Sequence, residues 1–282
     1  MLKIAIPNKG ALSETAVEII SKAGYKCKRY GKELVVFDRE HDISFYFLRP
    51  RDIAVYIGNG IIDLGITGRD LTIDSKAKCE ELLPLNFGNS RFFYAVPKES
   101  SLTPNDFEGK RIATSYPVIV EEDMKKRGIN AEIVKLDGAV EISIELGVAD
   151  AIADVVESGR TLVEAGLKTI GEPIMLSEAL VIAKEKNKLD DKSVKIFVKR
   201  LESVIIAQQY VMIEYNVREE NLGDAKKLTP GIESPTIMPL SEDGWYAVKA
   251  MAKSKGVNKL LDELHEVGAK GIIVSEIKTC RL

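Results

Sequence analysis

Through about residue 204, short apolar runs rich in β-branched and aromatic residues alternate with segments of helical period. Strands that run the same way need a helical crossover between them, so this alternation builds an α/β fold with mostly parallel sheet. Lys3–Pro7 reads as a buried first strand, followed by the loop Asn8-Lys9-Gly10. Leu12, Ala16, Ile19, Ile20 and Ala23 then recur at helical spacing until Gly24 stops the helix. Leu34–Asp38, Ile43–Leu48 and Ile62–Thr67 read as further strands, with a helix opened by Arg49-Pro50. A second α/β series starts near Arg91, with strands at Phe92–Pro97, Arg111–Thr114, Asn130–Lys135 and Asp150–Asp154 and a helix from Pro117. Two extended runs within Glu172–Lys184 suggest that the chain crosses back, and the amphipathic Asp191–Ser203 then docks on the first series. Two lobes with a cleft between them result: residues 1–90 with 185–204, and residues 91–184. The remainder, 205–282, reads differently. A strand at Ile205–Tyr215, a helix at Glu219–Leu228, a hairpin of Pro235–Leu240 with Trp245–Ala250, a helix at Gly256–Val267 and a strand at Gly271–Ile277 give the order βαββαβ of a small ferredoxin-like domain.

Composition narrows the function classes. With 45% apolar and 29% charged residues in 282, the chain has the balance of a core-forming globular protein, and its net charge of −3 gives no general attraction to nucleic acid or anionic membrane. No stretch approaches the ~18 apolar residues of a membrane helix, and the N-terminus reads as a strand rather than a signal peptide, so the expected location is the cytoplasm. Cys27, Cys79 and Cys280 are too few and too far apart for a disulfide framework or a zinc site. His41 falls in a turn and His265 on an amphipathic helix, and no metal triad can be built from them.

The chemistry is concentrated in Glu141–Leu162. The strand ending at Asp154 turns through Ser158-Gly159-Arg160-Thr161 into a helix. Gly159 allows close backbone approach and positive φ, Ser158 and Thr161 bring hydroxyls, and the helix start brings amides, which together suit a phosphate monoester. A plain N-capped turn explains Ser158-Gly159 taken alone. The carboxylates of Asp154 and Glu141 would repel an anion aimed at them. They fit the hydroxyls of a sugar, or the water shell of a magnesium ion, beside that phosphate.

The pattern Glu141-x5-Gly147-x-Ala149-x2-Ile152-x-Asp154-Val155-x2-Ser158-Gly159-x-Thr161-Leu162 resembles the signature of the ATP phosphoribosyltransferases. Ile4–Gly10, Arg49-Pro50-Arg51-Asp52-Ile53 and Asp63–Asp70 are similar to other segments of that family, and Thr229–Thr236 to its long form, which carries a C-terminal regulatory domain. The resemblance implies a core like type II periplasmic binding proteins plus an ACT-like C-terminal domain. It implies transfer of the 5-phosphoribosyl group of phosphoribosyl pyrophosphate (PRPP) to ATP, the first step of histidine biosynthesis, with Mg2+ carried mainly on the pyrophosphate. Ser158, Gly159, Arg160, Thr161 and Leu162 would bind PRPP, with Asp154 and Glu141 on the ribose and Lys9 on phosphate or pyrophosphate. Gly10, Arg49, Gly68 and Asp70 would line the ATP side, although a helix-start surface position accounts for Arg49 equally well and a turn cap for Asp70. Asn216, Ile232, Ser234, Thr236 and Gly271 would hold histidine as a feedback inhibitor. Relatives often carry Asp where this chain has Asn216, so weaker inhibition, or reliance on Glu214, is expected. Dimers and hexamers are implied as well. Competing readings are a two-lobed solute-binding or sensor protein without catalysis, a phosphoribosyltransferase for another base, and a purely regulatory subunit.

Overall fold

The computed structural model describes residues 1–156 and 159–282. Packing divides the chain into two units, Met1–Ser21 with Tyr25–Val198, and Lys22–Gly24 with Lys199–Leu282.

The first unit opens with β1 (Leu2–Pro7), α1 (Ala11–Lys22), β2 (Val35–Asp38), β3 (Ile43–Leu48), α2 (Pro50–Gly58), β4 (Leu64–Gly68), α3 (Arg69–Asp74) and β5 (Glu80–Pro84). It continues with β6 (Ser90–Pro97), β7 (Arg111–Thr114), α4 (Pro117–Arg127), β8 (Glu132–Lys135), β9 (Ala151–Val156), α5 (Arg160–Glu164), β10 (Leu167–Ser177) and β11 (Ala179–Ala183). The division between units falls within α6 (Lys192–Gln208).

Two sheets form the two lobes, with strand orders β2-β3-β1-β4-β11-β5 and β10-β6-β9-β7-β8. In the first, β1 lies parallel to both β3 and β4. Its residues from Ile4 to Pro7 are all buried, as expected of a strand covered on both faces. In the second, β9 is parallel to β7 and antiparallel to β6. The two-lobed α/β core expected from the sequence is the one observed, with its boundary displaced. β11 pairs antiparallel with β4 and β5, so Ala179–Ala183 belongs to the first sheet and not, as expected, to the second lobe through residue 184. The turn Ser177-Glu178 is thus one crossing between lobes, and Leu85–Asn89 is the other. The crossings are bonded to each other, Leu85 N to Ala179 O at 2.9 Å and Ala179 N to Phe87 O at 2.9 Å.

The second unit contains β12 (Tyr210–Arg218), α7 (Glu219–Leu228), β13 (Thr236–Pro239), β14 (Trp245–Lys253), α8 (Val257–Glu266) and β15 (Lys270–Glu276). Its antiparallel sheet has the order β13-β14-β12-β15, the ferredoxin-like arrangement. Val211, Ile213, Tyr215 and Val217 alternate into a core shared with Ala225, Val248 and Leu264. The strand expected to start at Ile205 starts at Tyr210, because α6 runs on to Gln208 and buries Val204, Ile205 and Ala207. An apolar run this short carries no periodicity that separates strand from helix.

Candidate active site

Three loops leave the first sheet at one edge. Pro7 is in register with Leu48 and Ala5 with Gly65, so the turns after β1, β3 and β4 emerge together at the carboxyl ends of parallel strands. Open α/β sheets bind their ligands at this edge. The turns carry Lys9 and Gly10, then Arg49, then Gly68 to Asp70. Lys9, Gly10 and Arg49 are exposed. Arg49 is extended, φ −64° and ψ 136°, as the residue before Pro50 must be.

Asp70 is 7% exposed, and its Oδ1 accepts a hydrogen bond from Ser177 Oγ at 2.9 Å. The Asp70 amide donates in turn to Ser177 Oγ at 3.1 Å. No side-chain cap closes α3, so Asp70 is not the turn cap that sequence alone also allowed. Gly68 has an ordinary φ of −74°, and its neighbour is what demands glycine. A Cβ there would stand 2.2 Å from Asp70 Oδ1.

In the second lobe Asp154 sits one residue beyond the last β7–β9 pair, Thr114 with Ala153. That register brings it past the carboxyl end of β7, beside the turn that holds Tyr116. Glu141 lies on a short 3-10 turn, Val140–Ile142, entered through Ala139 at φ 49°, a left-handed conformation that costs an L-residue about 1–2 kcal/mol. Gly159 takes φ 76° at the start of α5. Glu141, Asp154, Val155, Val156, Gly159, Thr161 and Leu162 together line a cavity of about 280 Å³. Five of the positions expected to hold PRPP thus meet in one concavity. Ser158, expected with them, lies outside the described residues. The Arg160 side chain is 84% exposed and donates through Nε to Glu164 Oε1 at 2.8 Å.

Burial pushes the Asp154 carboxyl above the usual carboxylate range. The charges of Glu141 and Asp70 add to this, while the Val155 amide and Arg51 oppose it. Tyr116, which the sequence reading passed over, is one of the links between lobes. Burial and then Asp70 raise its phenol well above its ordinary value, Asp154 adds to the effect, and Arg51 opposes it. The Arg51 guanidinium lies 4.4 Å from the Tyr116 ring centroid, a cation–π distance. The carboxyl-edge rule, applied to β7 as it was to β1, would have flagged Tyr116. Among the described residues no group of three or more His, Cys, Asp and Glu side chains converges as a protein-held metal would need.

In the second unit Asn216 and Gly271 are adjacent, Asn216 Nδ2 standing 3.8 Å from where a Gly271 Cβ would be. Thr236 lies on β13, at the opposite edge of the sheet from β15, with exposed Ile232 and Ser234 leading into it. Asn216 and Gly271 thus lie on the neighbouring strands β12 and β15, and Thr236 lies two strands from β12. Glu214 is engaged by Lys249, Nζ to Oε1 at 2.6 Å.

Comparison with known proteins agrees with this architecture. The family model for HisG, ATP phosphoribosyltransferase, matches residues 49–203, and the model for the HisG C-terminal domain matches residues 207–279. ATP phosphoribosyltransferases of Salinibacter ruber and Corynebacterium diphtheriae are each 53% identical to this chain, over 100% of both partners. The ATP phosphoribosyl transferase (HisG:HisZ) complex from Thermotoga maritima contains a chain that superposes with a TM-score of 0.64 at 29% identity, covering 73% of this chain and 99% of that one. This chain belongs to the ATP phosphoribosyltransferase family, in the long form with a C-terminal domain.

Proposed function

We propose that the protein joins C1 of PRPP to N1 of the adenine of ATP and releases pyrophosphate, opening histidine biosynthesis. The observation that carries this reading is the cavity in which Glu141, Asp154, Gly159, Thr161 and Leu162 meet. The 5-phosphate sits on the backbone turn of Gly159 and Arg160 with the Thr161 hydroxyl, and Leu162 anchors that turn in the core. Asp154 and Glu141 accept hydrogen bonds from the ribose hydroxyls. Their negative charge also favours the positive charge that grows on the ribose as the C1–oxygen bond to pyrophosphate breaks. The nucleophile is the N1 lone pair, which carries no proton at neutral pH, so no general base is required. Asp70, Gly68, Gly10 and Arg49 serve the ATP side, and Lys9 meets phosphate or pyrophosphate. Much of the rate then comes from aligning N1 with C1.

Magnesium enters this reading on the pyrophosphate of PRPP, where it would neutralise the leaving group. The chain offers it carboxylates but no ligand cluster among the described residues. Histidine is the proposed inhibitor. Asn216 and Gly271, on the neighbouring strands β12 and β15, and Ile232, Ser234 and Thr236, on β13 and the segment before it, are the residues that would hold it. Such inhibition couples two sites, so histidine and the substrates must weaken or strengthen each other reciprocally.

An absorbance assay for the adenine adduct, with ATP, PRPP, magnesium and pyrophosphatase, tests the reading. Product that histidine suppresses is expected. Folded protein that binds PRPP but forms no product would overturn it in favour of a sensor.

A further inference from the structure

The first amides of a helix need acceptors, usually supplied by the side chain of its own N-cap residue. α4 lacks one: its N-cap is Tyr116, with no side-chain cap bond. The missing acceptor comes from the other lobe. Asp74, the last residue of α3, is 9% exposed and accepts a hydrogen bond from the Val118 amide through Oδ1 at 2.9 Å. The Ile119 amide acts on the same carboxylate. Asp74 Oδ2 meets Arg51 Nη1 at 3.4 Å, and Arg51 is the residue that covers the Tyr116 ring. On the surface beside it, Lys76, two residues past α3, and Glu121 of α4 form a second bridge, at 3.5 Å.

We propose that Asp74 is an interlobe helix cap, a positioning residue that fixes the angle between the catalytic lobes by supplying the N-cap that α4 lacks. It sits 44 residues from its partner. It holds the Tyr116–Pro117 turn where Tyr116 faces Asp70 of one lobe and Asp154 of the other. This rests on the catalytic reading above. Among the described residues the ribose-phosphate cavity is lined by the second lobe alone, whereas Gly68 and Asp70 belong to the first. The contacts each substrate makes within a single lobe therefore survive when the cap is lost. What is lost is the registration of one substrate with the other.

The experiment compares Asp74→Ala and Asp74→Asn in the full chain. Asparagine caps about as well as aspartate, so Asp74→Asn keeps the acceptor while losing the charge toward Arg51. Loss of a cap is worth about fivefold in an equilibrium, the usual cost being ~1 kcal/mol. Asp74→Ala should lower kcat about fivefold to tenfold while the Kd for PRPP, measured by calorimetry, stays within twofold. Asp74→Asn should stay within twofold of the unmodified chain in both. Hydrogen exchange reads the cap without turnover: the amides of Val118 and Ile119 should exchange faster in Asp74→Ala and not in Asp74→Asn. Equal kcat and equal exchange in Asp74→Ala, or an Asp74→Asn variant as impaired as Asp74→Ala, would overturn the proposal. Glu121→Lys covers the case in which Asp74→Ala does not fold. It sets a repulsion against Lys76 at the exposed bridge and should lower kcat about twofold; no change in kcat would count against the lobe angle as what the junction controls. An unmodified chain that makes no product would instead sink the catalytic reading, and the exchange data would still decide the cap.

Discussion

Replacing Gly68 with alanine should damage the ATP side through Asp70 and not through the backbone. At φ −74° and ψ 146° the position accepts any L-residue, so the substitution adds no torsional strain. The new methyl would lie 2.2 Å from Asp70 Oδ1, and a contact without overlap needs at least 1 Å more. A carboxylate moved by ~1 Å loses its 2.9 Å bond to Ser177 Oγ, because the new separation falls outside hydrogen-bonding range. A hydrogen bond to a charged group contributes about 1.5–3 kcal/mol. The first unit should therefore lose about 2 kcal/mol, or roughly 4–8 °C in melting temperature for a body of this size. The KM for ATP should rise about tenfold with the KM for PRPP little changed. A double-mutant cycle gives the decisive readout. In an Asp70→Ala background there is no carboxylate to displace, and the next neighbour, Leu71 Cδ1 at 3.8 Å, is at ordinary contact distance. Adding Gly68→Ala there should cost under about 0.5 kcal/mol. If calorimetry and kinetics show the same loss in both backgrounds, the clash with Asp70 is not why this position is glycine.

Asp154→Asn should raise the KM for PRPP about 10- to 100-fold, matching the loss of about 1.5–3 kcal/mol of charged hydrogen bonding, yet should melt no lower than the unmodified chain at pH 8. Its folded-state carboxyl titrates above its unfolded one, so the native site costs stability as pH rises through that interval, and a melting series from pH 4 to 8 reads the sign. Asp38 has the opposite sign: burial alone would raise its carboxyl, but the Lys26 amide and the His41 side chain outweigh it and hold it below the usual range. Its stabilisation should be complete above the unfolded pKa and lost as pH falls through the folded one, and Asp38→Ala should cost about 1–3 kcal/mol in urea at pH 7 by removing the acceptor of the part-buried Lys26 amide and His41 ring. Gly159→Ala, at φ 76°, should weaken PRPP binding roughly tenfold through about 1–2 kcal/mol of left-handed strain, with secondary structure unchanged by circular dichroism. Asn216→Asp should strengthen histidine inhibition about threefold to tenfold by adding a charge toward the ligand's ammonium, an effect read as a shift in the half-inhibitory concentration.

What the sequence made legible follows the reach of local physics. Strands such as Leu2–Pro7 and Ile43–Leu48, and the helix after Pro50, are written in periodicity and in a proline at the first helical position, both of which act over a few residues. The Glu141–Leu162 segment was legible for the same reason, since one strand end and one turn bring its parts together. The boundaries that failed depend on partners distant in sequence. Whether Ala179–Ala183 joins the first sheet or the second is decided by strands β4 and β5, about a hundred residues upstream. Whether Ile205 ends a helix or starts a strand depends on what buries it. The lobe junction was illegible in kind: Asp70 meets Ser177 across 107 residues and Asp74 meets Val118 across 44, and neither pair leaves a spacing to read. Arg51 and Asp74, read locally, are an exposed charge and a helix-ending acid. Only the fold makes one a lid on Tyr116 and the other a cap for a helix in the opposite lobe. A transfer between two substrates needs both kinds of information, because the motif can build each half-site, but only these long-range contacts set the distance between them.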